Sequence, residues 1–108
     1  METRGDTLVV VLEGELDLRV ADELRKKLEE SLSDLPVRHL VVDLSRVCFV
    51  DSSGLGVLLG RYRRVAAAGG KVALTGAQPQ VRRVLELSGL FRIMGEYPTP
   101  DKALEHIC

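Results

Sequence analysis

Three short runs rich in β-branched and apolar residues alternate along this chain with segments of helical period, and few folds accommodate that order. The runs are residues 7–13 (TLVVVLE), 39–44 (HLVVDL) and 71–75 (KVALT). Between the first two, Val20, Leu24, Leu28, Leu32 and Leu35 fall on one stripe of a helix that Pro36 should end. Asp22 with Lys26 and Glu23 with Lys27 form acid-first i,i+4 pairs on its other face. A second helix is predicted from Ser52 to Gly69-Gly70. A third, over residues 79–88, carries Val81, Val84, Leu85 and Ser88 at helical spacing, with Gly89 as its C′ residue. Thr99-Pro100-Asp101 supplies an N-cap, a Pro at the first helical position and an acid in the first turn of a short last helix. Strands alternating with helices imply βαβ units, and right-handed crossovers lay the helices on the sheet. The fold class is therefore α/β: one domain over residues 1–108, with a small, mostly parallel sheet of four or five strands and about four helices. The nearly unbroken apolar run at 39–44 marks a strand covered on both faces.

Composition narrows the function classes. With 108 residues there is room for one hydrophobic core. At 45% apolar and 29% charged residues the chain should fold rather than stay disordered. A formal net charge of −1 gives no basic excess for nucleic-acid binding. No apolar run approaches the roughly 20 residues of a membrane span, and Met1-Glu2-Thr3-Arg4 does not open a signal peptide, so the expectation is a cytoplasmic protein. Cys48, expected in the core, and Cys108 make neither a disulfide framework nor a zinc site. His39 and His106 have no companion acids at recognisable spacing and receive no role.

The stretch Val50-Asp51-Ser52-Ser53-Gly54-Leu55-Gly56-Val57 places two hydroxyls and a carboxylate where a strand gives way to a helix. The first N–H groups of a helix lack partners and carry the positive end of its dipole. Ser52 is expected to cap this helix, and a phosphate on it would sit in a favourable field. At about 100° per residue, Leu55, Leu58, Leu59, Tyr62, Val65 and Ala66 form the expected core stripe. Ser52, Gly56, Gly60, Arg63 and Ala67 fall on a neighbouring stripe. Glycines there cost roughly 1 kcal/mol each relative to Ala. Either another molecule's backbone approaches them closely, or a loop of this protein does. Ser52 is not in a Gly-x-Ser-x-Gly elbow, and no Gly-Lys-Ser/Thr phosphate loop is present. No catalytic residue is assigned, and the chain is expected not to be an enzyme.

Asp43-Leu44-Ser45, followed by Phe49-Val50-Asp51-Ser52-Ser53-Gly54-Leu55-Gly56-Val57-Leu58-Leu59-Gly60-Arg61-Tyr62, resembles the STAS family of bacterial anti-sigma factor antagonists, in particular its sporulation branch. Gly14-Glu15-Leu16-Asp17 is similar to the family's strand-end motif, and Ser88-Gly89-Leu90-Phe91-Arg92-Ile93 to its segment after the third helix. The resemblance implies a phosphorylation-controlled binding module. Unphosphorylated, it would bind a kinase-type anti-sigma factor, which then releases its sigma factor. That serine kinase would phosphorylate the first Ser of Asp-Ser-Ser-Gly, here Ser52, and a serine phosphatase would reset the cycle. ATP and magnesium would belong to the kinase, so no cofactor or metal is expected in this chain, which would be a monomer when free. An unphosphorylated STAS scaffold or ligand-sensing module is the alternative.

Asp17, Asp51, Ser53, Gly54, Gly56, Gly60 and Arg63 are the residues expected to meet the partner around Ser52. Several keep plainer readings. Spacing alone does not separate Ser53 from Ser52 as acceptor. Asp51 either ties its loop or shapes the site for the kinase. Asp17 either stabilises a turn or is carried by a parallel sheet to the same edge as Asp51. Arg63 is a solvated charge or a contact for an acidic partner. Few residues precede the first strong strand, so the family's N-terminal edge strand should be short or absent.

Overall fold

The computed structural model describes residues 1–107; Cys108 lies outside the described residues. Among these, a five-stranded sheet runs in the order β1-β2-β3-β4-β5, the order of the chain itself. Strand β1 (Glu2–Arg4) is a three-residue antiparallel edge on β2 (Thr7–Leu16), so the N-terminal edge strand is present but short. Strands β3 (His39–Val50), β4 (Val72–Thr75) and β5 (Gly95–Tyr97) continue the sheet in parallel. The connections are α1 (Leu18–Asp34), α2 (Ser52–Ala67) and α3 (Pro79–Leu87) with a 3-10 turn at Leu90–Arg92. The last helix is α4 (Pro100–Ile107).

Side chains alternate along the strands between two cores, as a pleated sheet covered on both faces requires. Leu8, Val10, Leu40, Val42, Val72 and Leu74 pack with Leu28 of α1, Val57, Leu58 and Val65 of α2, and Val81 and Leu85 of α3. Val9, Val41 and Ala73 face the other way, onto Ala103 and Ile107 of α4. Three crossovers of one hand between successive strands place α1, α2 and α3 on one face, and among the described helices α4 covers the second. Thr99 Oγ1 accepts the Lys102 N–H at 3.2 Å, the cap expected for α4. Gly89 takes φ 84° just past α3, as expected of a C′ residue.

Four local expectations need correction. Helix α1 starts at Leu18, before Val20, and ends at Asp34, leaving Leu35 outside as an exposed cap. The C-terminal halves of β2 and β3 run past the sequence estimate to Leu16 and Val50, beyond the reach of β4, which pairs only with Leu40, Val41, Val42 and Asp43. Two register shifts interrupt this extension, at Val11/Glu13 and Gly14/Glu15. There the strict alternation of faces breaks, and Cys48 is exposed rather than in the core. On α2 the buried residues are Gly54, Val57, Leu58, Arg61 and Val65. The stripe is rotated from the leucine count, with Leu55, Leu59, Tyr62 and Ala66 only half-buried.

Candidate functional site

Strands β2 and β3 finish together. Leu16 is in register with Val50, and the Asp51 N–H donates to the Leu16 carbonyl at 3.2 Å. Asp17 and Asp51 therefore leave the same sheet edge side by side, as a parallel pairing demands. Each turns its carboxylate back on the helix it opens. Asp17 is the N-cap of α1 and accepts the Arg19 N–H at 3.0 Å. The Arg19 guanidinium binds Asp17 at 3.0 and 2.9 Å and Glu15 at 2.7 Å. That guanidinium holds the Asp17 carboxyl below the usual carboxylate range.

Asp51, not Ser52, is the N-cap of α2. Its Oδ1 accepts the N–H of Ser53 at 2.8 Å and of Gly54 at 3.1 Å. Its carbonyl accepts the Leu55 N–H at 2.9 Å. A carboxylate at this position satisfies orphan donors and complements the helix dipole at once. Ser52 becomes the first helical residue, exposed to solvent. The anion-attracting end of α2 is thus already occupied by the protein's own carboxylate, so the favourable field expected for a phosphate on Ser52 is largely spent on Asp51.

The remaining sequence-predicted residues separate into surface and interior. Gly54 is buried, and a Cβ there would lie 2.3 Å from the Leu16 carbonyl oxygen and 2.9 Å from its Cβ. Only Gly lets α2 start so close to β2; Gly54 shapes the site and is not part of its surface. Gly56 and Gly60 are open: a Cβ at either would meet nothing within 4 Å. Among the described residues no loop packs on them, so the self-packing reading of the glycine stripe fails. Ser53 is half-buried and lines a shallow groove of about 320 Å³ between the starts of α1 and α2, with Leu18, Arg25 and Gly56. Leu18 stands at its lip, 75% exposed. Arg63 is exposed one turn from Gly60 and forms none of the ion pairs found among the described residues.

Two clusters escaped the sequence reading. Asp43 Oδ1 accepts from the Ser45 N–H at 3.1 Å and the Thr75 hydroxyl at 3.3 Å, and its Oδ2 accepts from the Ser45 hydroxyl at 3.2 Å. The Gln78 amide donates to the Ser45 carbonyl at 3.1 Å, so the β4–α3 turn is tied to β3. The Asp43-Leu44-Ser45 motif was visible, but its partner Thr75 lies in another strand. Between α1 and α2, Glu29 of α1 receives both Arg61, at 2.7 Å, and Arg64 of α2. Burial pushes the Arg61 guanidinium below its ordinary pKa, and the Glu29 charge opposes that shift. Among the described residues no group of three His, Cys, Asp or Glu is placed to hold a metal ion, and no helix is long and apolar enough to cross a membrane.

Residues 1–103, which include this edge with Asp17, Asp51 and the start of α2, match the STAS domain family. The chain belongs to the STAS domain family. It is 40% identical over 107 residues to the anti-sigma F factor antagonist of Paenibacillus polymyxa, covering 99% of this chain and 92% of that protein. The structure of the anti-sigma factor antagonist SpoIIAA in its unphosphorylated form is similar with a TM-score of 0.85 at 32% identity, covering 99% of this chain and 92% of that one. The Bacillus cell fate determinant SpoIIAA in its phosphorylated form is similar with a TM-score of 0.76 at 30% identity, covering 100% and 96%.

Proposed function

We propose that this protein is an anti-sigma factor antagonist that works by partner switching in a sporulation pathway: unphosphorylated, it binds a kinase-type anti-sigma factor, and phosphorylation of Ser52 ends that binding. The reading is carried by one observation. Ser52 is the exposed first residue of α2 at the edge shared by Asp17 and Asp51, in a chain similar to an antagonist known in unphosphorylated and phosphorylated forms. The surface around it has the features a close-fitting partner needs. Gly56 and Gly60 leave α2 bare to approach, and a groove of about 320 Å³ lies beside Ser53.

The electrostatics supports an off-switch. A phosphoserine adds about −1.5 to −2 charge. Next to Asp51, whose carboxylate already occupies the Ser53 and Gly54 N–H groups, that charge stays uncompensated and faces outward. A partner surface matched to the unmodified edge then meets new bulk and new negative charge together. Function in this reading resides in binding and in being modified, and the chain carries out no turnover of its own.

Incubation with the kinase-type anti-sigma factor of the source organism and Mg-ATP, followed by peptide mapping, tests it. One phosphate on Ser52 and loss of binding on phosphorylation are expected. Ser52→Ala should bind and stay permanently active, and Ser52→Asp should bind poorly. Binding with no phosphorylation would instead favour a STAS scaffold that is never modified.

A further inference from the structure

We infer that Asp51 is the residue that selects Ser52 over Ser53 as phosphate acceptor, and that it does so through its hydrogen bonds rather than its charge; the inference rests on the partner-switching reading above. Two adjacent hydroxyls stand at the start of α2, and their spacing in the sequence makes them equivalent. The geometry does not. Asp51 Oδ1 accepts the N–H groups of Ser53 and Gly54 at 2.8 and 3.1 Å, which commits both residues to the helix from its first turn. Consecutive helical residues are turned by about 100°. Ser52 consequently points to solvent while Ser53 is half-buried along the groove beside Leu18 and Gly56.

The turn has little freedom to rearrange while the cap is in place. The Asp51 N–H is held by the Leu16 carbonyl at 3.2 Å, and the Leu55 N–H by the Asp51 carbonyl at 2.9 Å. Gly54 lies so close to Leu16 that even a Cβ would clash. The backbone bonds anchor the strand end and the fourth residue of the helix. Between them, the Asp51 side chain alone fixes the N–H of Ser53. Without it, the first turn keeps its ends but loses the restraint on the residue carrying the second hydroxyl.

Acceptor position matters because phosphoryl transfer is in-line. The serine oxygen bonds to the γ-phosphorus of the kinase's ATP as the bond from that phosphorus to the β,γ-bridging oxygen breaks. ADP leaves with that electron pair, and the hydroxyl proton passes to a base on the kinase. An oxygen displaced by only about 1 Å from the productive line can lose about a hundredfold in rate. A hydroxyl a quarter-turn round the helix, on a half-buried residue, is displaced further than that.

The test compares phosphosite maps and initial rates with the same kinase and Mg-ATP for the wild type, Ser52→Ala, the Asp51→Ala/Ser52→Ala double variant and the Asp51→Asn/Ser52→Ala double variant. The wild type should carry phosphate on Ser52 alone, and Ser52→Ala should take essentially none. Asp51→Ala/Ser52→Ala should gain phosphate on Ser53 at a rate at least about fivefold above Ser52→Ala, the factor corresponding to loss of a side-chain cap. Asp51→Asn/Ser52→Ala should remain silent, because the amide oxygen keeps accepting the same N–H groups without the charge. Thermal melts check folding, and Asp51→Gly, a tolerated N-cap lacking a side-chain acceptor, replaces the alanine if that variant does not melt cooperatively. Phosphate on Ser53 in Ser52→Ala with Asp51 intact overturns the inference. So does a silent, folded Asp51→Ala/Ser52→Ala protein that still binds the kinase, or equal gain in the Asn and Ala doubles. A wild type that takes no phosphate at either serine overturns the partner-switching reading, and the selection by Asp51 with it.

Discussion

Asp17 and Asp51 cap two neighbouring helices, but in different electrostatic company. The Asp17 carboxyl is drawn down by the Arg19 guanidinium, so its charged form is favoured in the folded state. A depressed carboxylate pKa contributes stability that is complete above the unfolded-state value and is lost as pH falls through the folded one. Following the Arg19 amide by NMR through an acid titration should give a midpoint below the usual carboxylate range, and Asp17→Asn should abolish that titration. The glycines of α2 separate equally sharply. Gly60→Ala adds a Cβ into open space and should raise stability by up to about 1 kcal/mol. Gly54→Ala drives a Cβ into the Leu16 backbone and should cost about 1–3 kcal/mol; urea melts of the two variants check both signs. Gly60→Leu should leave the fold intact and weaken partner binding. The Asp-Ser-Ser-Gly stretch itself was legible, since strand-to-helix punctuation and hydroxyls are local signals. Which of Asp51 and Ser52 caps, and which glycine is buried, was not. Both depend on how near Leu16 comes, and that is set by pairing with a strand more than thirty residues away in the chain.

Helix α2 shows why periodicity located the elements but misplaced a face. Counting leucines aims the helix at Leu55, Leu59 and Ala66, yet two of the core-facing positions are held by Gly54 and Arg61. A glycine fits because a strand end leaves no room for more. The arginine is tolerated because Glu29 of α1 lies 2.7 Å away. Neither compensation is visible within the helix's own sequence. The same pair makes a test at this scale. Glu29→Gln leaves the Arg61 guanidinium, whose side chain is 11% exposed, without its counter-charge; because Glu29 itself is 31% exposed, the cost should fall between that of an exposed and a buried pair, about 1–3 kcal/mol. Arg64→Lys, altering the more exposed partner, should cost less than about 1 kcal/mol. Equal losses in denaturant melts would place the energy in the network as a whole. The end of β3 carries a related lesson. The expected strand stops at Leu44, just before the polar Ser45-Arg46 pair, whereas β3 continues to Val50 by pairing with β2 alone.

Across the whole molecule, one sheet serves two cores, and that should make unfolding a single event. Val41 and Val42 are adjacent residues of β3 buried on opposite faces, so neither face can lose its cover without disturbing the strand that the other requires. The chain has two tyrosines, and they report separately: Tyr62 packs against the α1–α3 side and Tyr97 against the α4 side. Tyr62→Phe and Tyr97→Phe each leave one fluorophore. Their urea transitions should coincide with each other and with far-UV circular dichroism; an earlier Tyr97 transition would mean that α4 detaches first. The strand order has a further consequence, for birth rather than function. Every strand pairs with the one made just before it, so a nascent chain can complete the sheet one βα unit at a time as it leaves the ribosome, with no gap kept open for a later strand. Only the face over Val9, Val41 and Ala73 must wait, bare, until synthesis reaches α4, and in that interval the growing chain has most need of a chaperone.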